Sequence, residues 1–82
     1  MNKENKDGIK EKFSEMPKIT LIGRRELYIE NFKSVITYTE SIIELNCAMY
    51  LLKISGKELE IKSLSSDLAE ICGVIFDIEI VN

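Results

Sequence analysis

Histidine and tryptophan are missing from this 82-residue chain, proline occurs once, and cysteine only twice. Each shortage excludes something. Without histidine there is no imidazole to act as a base near neutral pH or as the commonest zinc ligand. The sequence also holds no glycine-rich phosphate loop, no nucleophile elbow and no Asp/Glu/Cys cluster at metal spacing, so the reading is a protein without catalytic residues, metal or cofactor. The two cysteines, Cys47 and Cys72, form no CxxC and have no basic neighbour. They read as packing thiols rather than reactive ones. No apolar run approaches the roughly 20 residues that cross a bilayer. The N-terminus mixes charges of both signs and lacks a secretory leader's apolar core, which makes the cytoplasm the expected compartment.

Basic residues are outnumbered by acidic ones, 11 to 14. The formal net charge is −3. Residues 1–16 balance four lysines against four acids, so the whole deficit falls on the rest of the chain. That leaves no basic stripe for a phosphate backbone, and the pair Arg24-Arg25 alone is too small a footprint for nucleic acid. Most of the acids (Glu26, Glu30, Glu40, Glu44, Glu58, Glu60, Glu70, Glu79) alternate with apolar residues, which assigns them to solvated strand faces rather than to an acid/base pair.

What the chain does contain is alternation. From Pro17 to Asn31, Ile19 and Leu21 alternate with other positions, Gly23 breaks the run, and Leu27 and Ile29 alternate again. A period of two interrupted by glycine reads as a hairpin. The pattern returns around Gly56 and more loosely around Gly73, and strands are expected near 18–22, 26–30, 33–39, 41–46, 50–55, 58–63, 68–72 and 74–81. The fold class that follows is all-β: a small antiparallel meander folded as a sandwich or roll over residues 17–82. A charged segment of residues 1–16 precedes it as a short helix or a disordered tail. A later helix could survive only in Ser66–Glu70.

The expected core is Ile19, Leu21, Leu27, Ile29, Ile43, Leu45, Leu52, Ile54, Leu59, Ile61, Ile71 and Ile75, with Val35 or Ile36 from the third strand. Gly23, Gly56 and Gly73 are the expected structural turns or bulges. Ile71, Gly73 and Ile75 have one parity while Ile78 and Ile80 have the other. A bulge near Phe76-Asp77 or a turn at Gly73 would reconcile them.

Recognition surfaces have few candidates. Ile9, Phe13 and Met16 are spaced as one face of a short helix, which suggests that residues 1–16 dock a partner rather than support folding. Tyr28, Asn31, Phe32 and Tyr38 are the remaining candidate interaction residues, although aromatic residues in strands more often pack in cores or cross-strand pairs.

The stretch PKITLIGRRELYIENF, followed by VITYTESIIEL, ISGKELEIKSL and GVIFDIEI, resembles the YabP/YqfC family of sporulation proteins, with the YqfC branch nearest. The resemblance covers residues 17–80 and rests on Pro17, Ile19, Leu21, Gly23, Leu27, Ile29, Glu30 and Asn31, then Tyr38-Thr39-Glu40, Gly56, Leu59, Ile61, Gly73 and Ile75. It implies a protein made in the mother cell of an endospore former and needed for spore formation, with no assigned catalytic residues. Two departures stand out. Phe32 occupies a position where the family tends to have histidine, and Asn46-Cys47-Ala48-Met49-Tyr50 replaces a glycine hairpin, so that turn is expected to rely on Asn46 or another geometry.

Two functional classes follow. The first is a non-enzymatic interaction or self-assembly protein of spore formation or spore-envelope morphogenesis. Its partner would be another protein, such as a membrane-associated sporulation protein at the forespore membrane, or a second copy in a homo-oligomer. The second is a small regulatory or ligand-binding β module with a pocket between sheet layers.

Overall fold

A computed structural model describes residues 16–82. Its strands are β1 (Lys18–Ile22), β2 (Glu26–Glu30), β3 (Phe32–Tyr38), β4 (Ile42–Cys47), β5 (Leu51–Leu64) and β6 (Leu68–Val81). They form one antiparallel sheet in the order β1-β2-β6-β5-β4-β3. The described residues are all-β, as their alternation predicts. Of the helical stripe expected at Ile9, Phe13 and Met16, the first two lie outside the described residues, and Met16 forms a bend before β1. Ser66–Glu70 forms no helix; it supplies the β5–β6 turn and the start of β6.

The expected eight strands are six, because the breaks at Gly56 and Gly73 are bends within strands rather than hairpins between them. β5 and β6 run as one 14-residue pair, and three irregularities punctuate their register. Ser55 faces Asp77 and Gly56 faces Ile75, which makes Phe76 an extra residue in β6. Lys57 faces Val74 and Glu60 faces Cys72, so Glu58 and Leu59 oppose Gly73 alone, and Lys62 is extra between Ile61 and Ser63. Each extra residue flips the inward parity of its strand. Buried positions run 52, 54, 56 and then 59 in β5, and 69, 71 and 75 in β6, with half-buried Ile78 on the new parity. The Phe76 bulge thus reconciles the two parities of the C-terminal segment.

These bends divide the sheet into two wings. β1 and β2 continue across the first half of β6 and the second half of β5, whereas β3 and β4 continue across the first half of β5 and the second half of β6. The inward faces of both wings share one core of Leu27, Ile29, Phe32, Ile43, Leu45, Cys47, Leu52, Ile54, Leu59, Ala69, Ile71 and Ile75. Ile19, Val35 and Ile61 are half-buried against that core, as are Tyr50 and Ile78. Leu21 was expected inside and does face inward, opposite Leu27, but it lies at the outer end of its row and stays exposed.

Phe32 and Ala69 complete the core without having been among its expected members, together with Cys47, which is buried as a packing thiol should be. The cause in β3 is two bulges, at Lys33 and Ile36, which give inward positions Phe32, Val35 and Tyr38 a spacing of three rather than two. Ile36 is thereby turned outward. The β4–β5 connection does not rely on Asn46, which pairs with Leu51 inside the sheet. Ala48, Met49 and Tyr50 make the turn, and the Cys47 amide donates to the Tyr50 carbonyl at 2.9 Å.

Each bend is held by the turn of the neighbouring wing. The amides of Gly56 and Leu59 donate to the carbonyls of Ser41 (3.0 Å) and Glu40 (2.8 Å), and those of Gly73 and Ile75 donate to Arg25 (3.2 Å) and Arg24 (2.8 Å). A side chain at Gly56 would collide with the Val74 carbonyl oxygen, and one at Gly73 (φ 133°) would come within 2.6 Å of the Glu58 carbonyl oxygen. Gly23 lies in the β1–β2 turn at φ 59° with open space around it. Two substitutions therefore separate close approach from conformation. Gly23→Ala carries only the left-handed backbone cost, about 1 kcal/mol. Gly56→Ala must displace backbone in the core and costs more, about 3 kcal/mol. Denaturant midpoints of the two variants, compared with the parent, check the ranking; equal losses would contradict the contact at Val74.

Candidate interaction surface

Cross-strand pairing sorts the side chains into rows. In the first wing the inward rows are Ile19, Ile29, Ala69, Leu64 and Leu21, Leu27, Ile71, Ile61. In the second they are Val35, Leu45, Leu52, Ile80 and Tyr38, Ile43, Ile54, Ile78. The middle of every row is fully buried, while Leu21 (46% exposed), Leu64 (53%) and Ile80 (55%) lie open at row ends. Ile22, Ile36, Tyr38, Met49, Leu68 and Phe76 are exposed as well, so apolar surface is spread over strand ends, bulges and the β4–β5 turn. No polar or charged side chain is buried among the described residues, so the interior has no group to orient a ligand.

The aromatic and asparagine candidates have separate jobs. Phe32 is 6% exposed and fills the core at the start of β3. Asn31 turns the chain from β2 into β3 in the left-handed region (φ 66°), which asparagine tolerates better than most residues. Its amide donates to the Asp67 carbonyl at 2.7 Å and its side-chain nitrogen donates to the Met16 carbonyl at 2.9 Å. Tyr38 keeps its ring half in solvent, while its hydroxyl accepts the Ile61 amide at 2.9 Å. Thr39 closes the adjoining turn by accepting the Ile42 amide at 2.9 Å. Tyr38-Thr39-Glu40 thus acts as one device that grips β5 at its bend.

Tyr28 alone of these four stands on the outward face, half-buried opposite Thr20 and Glu70. The charge of Glu26 beside it raises its phenol above the usual value, with burial and the charge of Glu70 acting in the same direction. Lys18 reaches Glu30 at 3.9 Å on the same face, an exposed pair of little energetic weight. Among the described residues no three of His, Cys, Asp and Glu converge as a metal-holding group, and no helix is long and apolar enough to cross a membrane.

The feature that sequence reasoning missed is the set of open strand edges. β3 exposes an edge broken by its two bulges. The free half of β6 carries Asp77 and Glu79, and the free end of β5 is bulged at Lys62 with its Ile61 amide already taken by Tyr38. Bulges and charges are the usual protections of a sheet edge. β1 has neither. Its five residues pair with β2 without a break, and it has no other partner among the described residues. The sequence signal was present in the short, regular KITLI run, but edge position depends on sheet order.

The two thiols differ in access. Cys47 is buried and burial pushes its thiol up, whereas Cys72 is half-exposed beside Glu60. Cys72 should react with a thiol reagent in the native protein and Cys47 only after unfolding. Because the folded state raises the Cys47 value, its contribution to stability is complete below the ordinary thiol range and is lost as pH rises through the raised value. Thermal midpoints of a Cys72→Ser protein, followed upward from neutral pH, should fall above about pH 8.5. Tyr38→Phe should lower stability by about 1 kcal/mol in denaturant melts while leaving the far-UV spectrum unchanged.

Comparison with known proteins gives two matches. The sequence pattern of the YabP family fits residues 14–82. Over 50 residues the chain is 34% identical to the uncharacterized protein YqfC of Bacillus subtilis (strain 168), an alignment that covers 61% of this chain and 54% of that protein. The aligned part therefore spans about half the length of that relative. No solved structure matches.

Proposed function

The chain belongs to the YabP family, a membership consistent with a sporulation-related role, and on that premise we propose a non-enzymatic interaction protein of spore formation or spore-envelope morphogenesis. The observation that supports this reading is the division of labour in the sheet. Apolar side chains are closed off in the middle of every row and left open at the margins, next to a strand edge without bulges or acidic side chains. Such a molecule can gain main-chain hydrogen bonds and apolar contact by adding a strand.

In this reading the protein works in the mother-cell cytoplasm, peripheral to the forespore membrane, through another protein or through its own copies. Residues 1–16 supply a second contact, with Ile9 and Phe13 as its apolar anchors. The ligand-binding alternative has less support, since the fully buried row centres would have to be displaced to open a pocket between the wings.

Removing residues 1–15 tests the reading. The core residues all lie within 27–75, so the shortened chain should keep its circular dichroism spectrum and thermal midpoint. It should nevertheless fail to restore sporulation in cells that lack the full chain. Full restoration would make the segment dispensable, and loss of the folded spectrum would make it part of the domain.

A further inference from the structure

The geometry points to a second copy of this chain as the occupant of the β1 edge, with two β1 strands paired antiparallel about Thr20. This deepens the interaction reading above by naming a partner, and it rests on the fit of β1 to itself. In an antiparallel pair, residues directly opposite share a face of the sheet. For the apolar faces of two copies to meet, the two position numbers in each facing pair must therefore have the same parity. Centring on Thr20 satisfies that condition and uses all five residues of the strand. Ile19 then faces Leu21 of the second copy, Leu21 faces Ile19, and Thr20 faces Thr20.

The side-chain rows become continuous through that axis. The row Ile19, Ile29, Ala69 runs on into Leu21, Leu27 and Ile71 of the second copy, so exposed Leu21 gains a neighbour on its open side. On the outward face Lys18 lies opposite Ile22 of the second copy, whose own neighbour across β2 is Glu26. Each end of the pair thus sets Lys18 against an apolar side chain, with Glu26 of the second copy one strand further on, and not against another lysine. The arrangement is isologous and closes at two copies along this edge. The remaining edges carry bulges or acidic residues, which restrain further addition.

Two five-residue strands with their flanking side chains fall below a standard interface of about 800 Å² per partner. The dimer is therefore weak, and its population rises with concentration.

Thr20 is exposed and marks the axis, which allows a test by charge exchange. Like charges directly opposite in a strand pair repel, and opposite charges attract. Sedimentation velocity of the full chain over a wide concentration series should show the average mass rising from monomer toward dimer. Thr20→Lys and Thr20→Glu proteins, each confirmed as folded by circular dichroism, should stay monomeric at the same concentrations. An equal mixture of the two should recover the dimer. A parent chain that stays monomeric throughout overturns the proposal and leaves the edge to a strand of another protein or to residues 1–15. Dimers that persist in both variants overturn it as well, by moving self-association to another surface. These readings are independent of sporulation, so failure here leaves the interaction reading above to its own test.

Discussion

Two strands of ordinary length could not bury this sequence, and the structure depends on β5 and β6 bending together without parting. At the bend the backbones press against each other closely enough that positions 56 and 73 can hold no side chain. The contact is reinforced from both sides. The Ser41 and Glu40 carbonyls take the free amides of β5, while Arg24 and Arg25 take those of β6. A small domain has little core to spare. Here the bend makes one sheet serve as both layers of its own core, because each wing covers the apolar face of the other. The turn residues are consequently more than connectors. Tyr38, Thr39 and Glu40 hold the curvature that brings Leu59 and Ile75 inside.

How much of this was legible follows from what alternation can and cannot report. A period of two fixes which residues share a face, and it identifies the buried leucines and isoleucines of β2, β4 and the first half of β5. It cannot tell a bend from a turn. Glycine after an alternating run reads the same whether the chain reverses or merely kinks, and Gly56 was assigned to a hairpin for that reason. Gly73 carries the same ambiguity, where the clash of parity between Ile75 and Ile78 allows either a bulge near Phe76-Asp77 or a turn at Gly73, and the structure has the bulge at Phe76. In β5 the corresponding clash between Ile54 and Leu59 was hidden by the assumption that two separate strands were present.

β3 shows the limit in another form. Two bulges in seven residues convert its inward spacing to three, so Phe32, Val35 and Tyr38 face the core while Ile36, apolar and adjacent to Val35, does not. No local pattern in FKSVITY announces this, because the partner strand decides where an extra residue is accommodated. The same dependence hid the open edges. Whether KITLI lies in the centre or at the border of a sheet depends on β6 inserting between β2 and β5, a pairing across 38 to 46 residues of sequence.

The position of Phe32 bears on chemistry as well as packing. The family resemblance suggests histidine at this place, and an imidazole there would invite a search for acid/base partners. Phe32 lies in a core whose described members are all apolar, directly opposite Cys47, and no buried polar side chain is available to orient a ring nitrogen or share its proton. Burial of that kind lowers the pKa of a histidine and holds it neutral. The site therefore rewards ring volume rather than proton transfer, and phenylalanine supplies that volume without a polar atom to desolvate. Phe32 fills the β2–β3 corner next to the left-handed turn at Asn31.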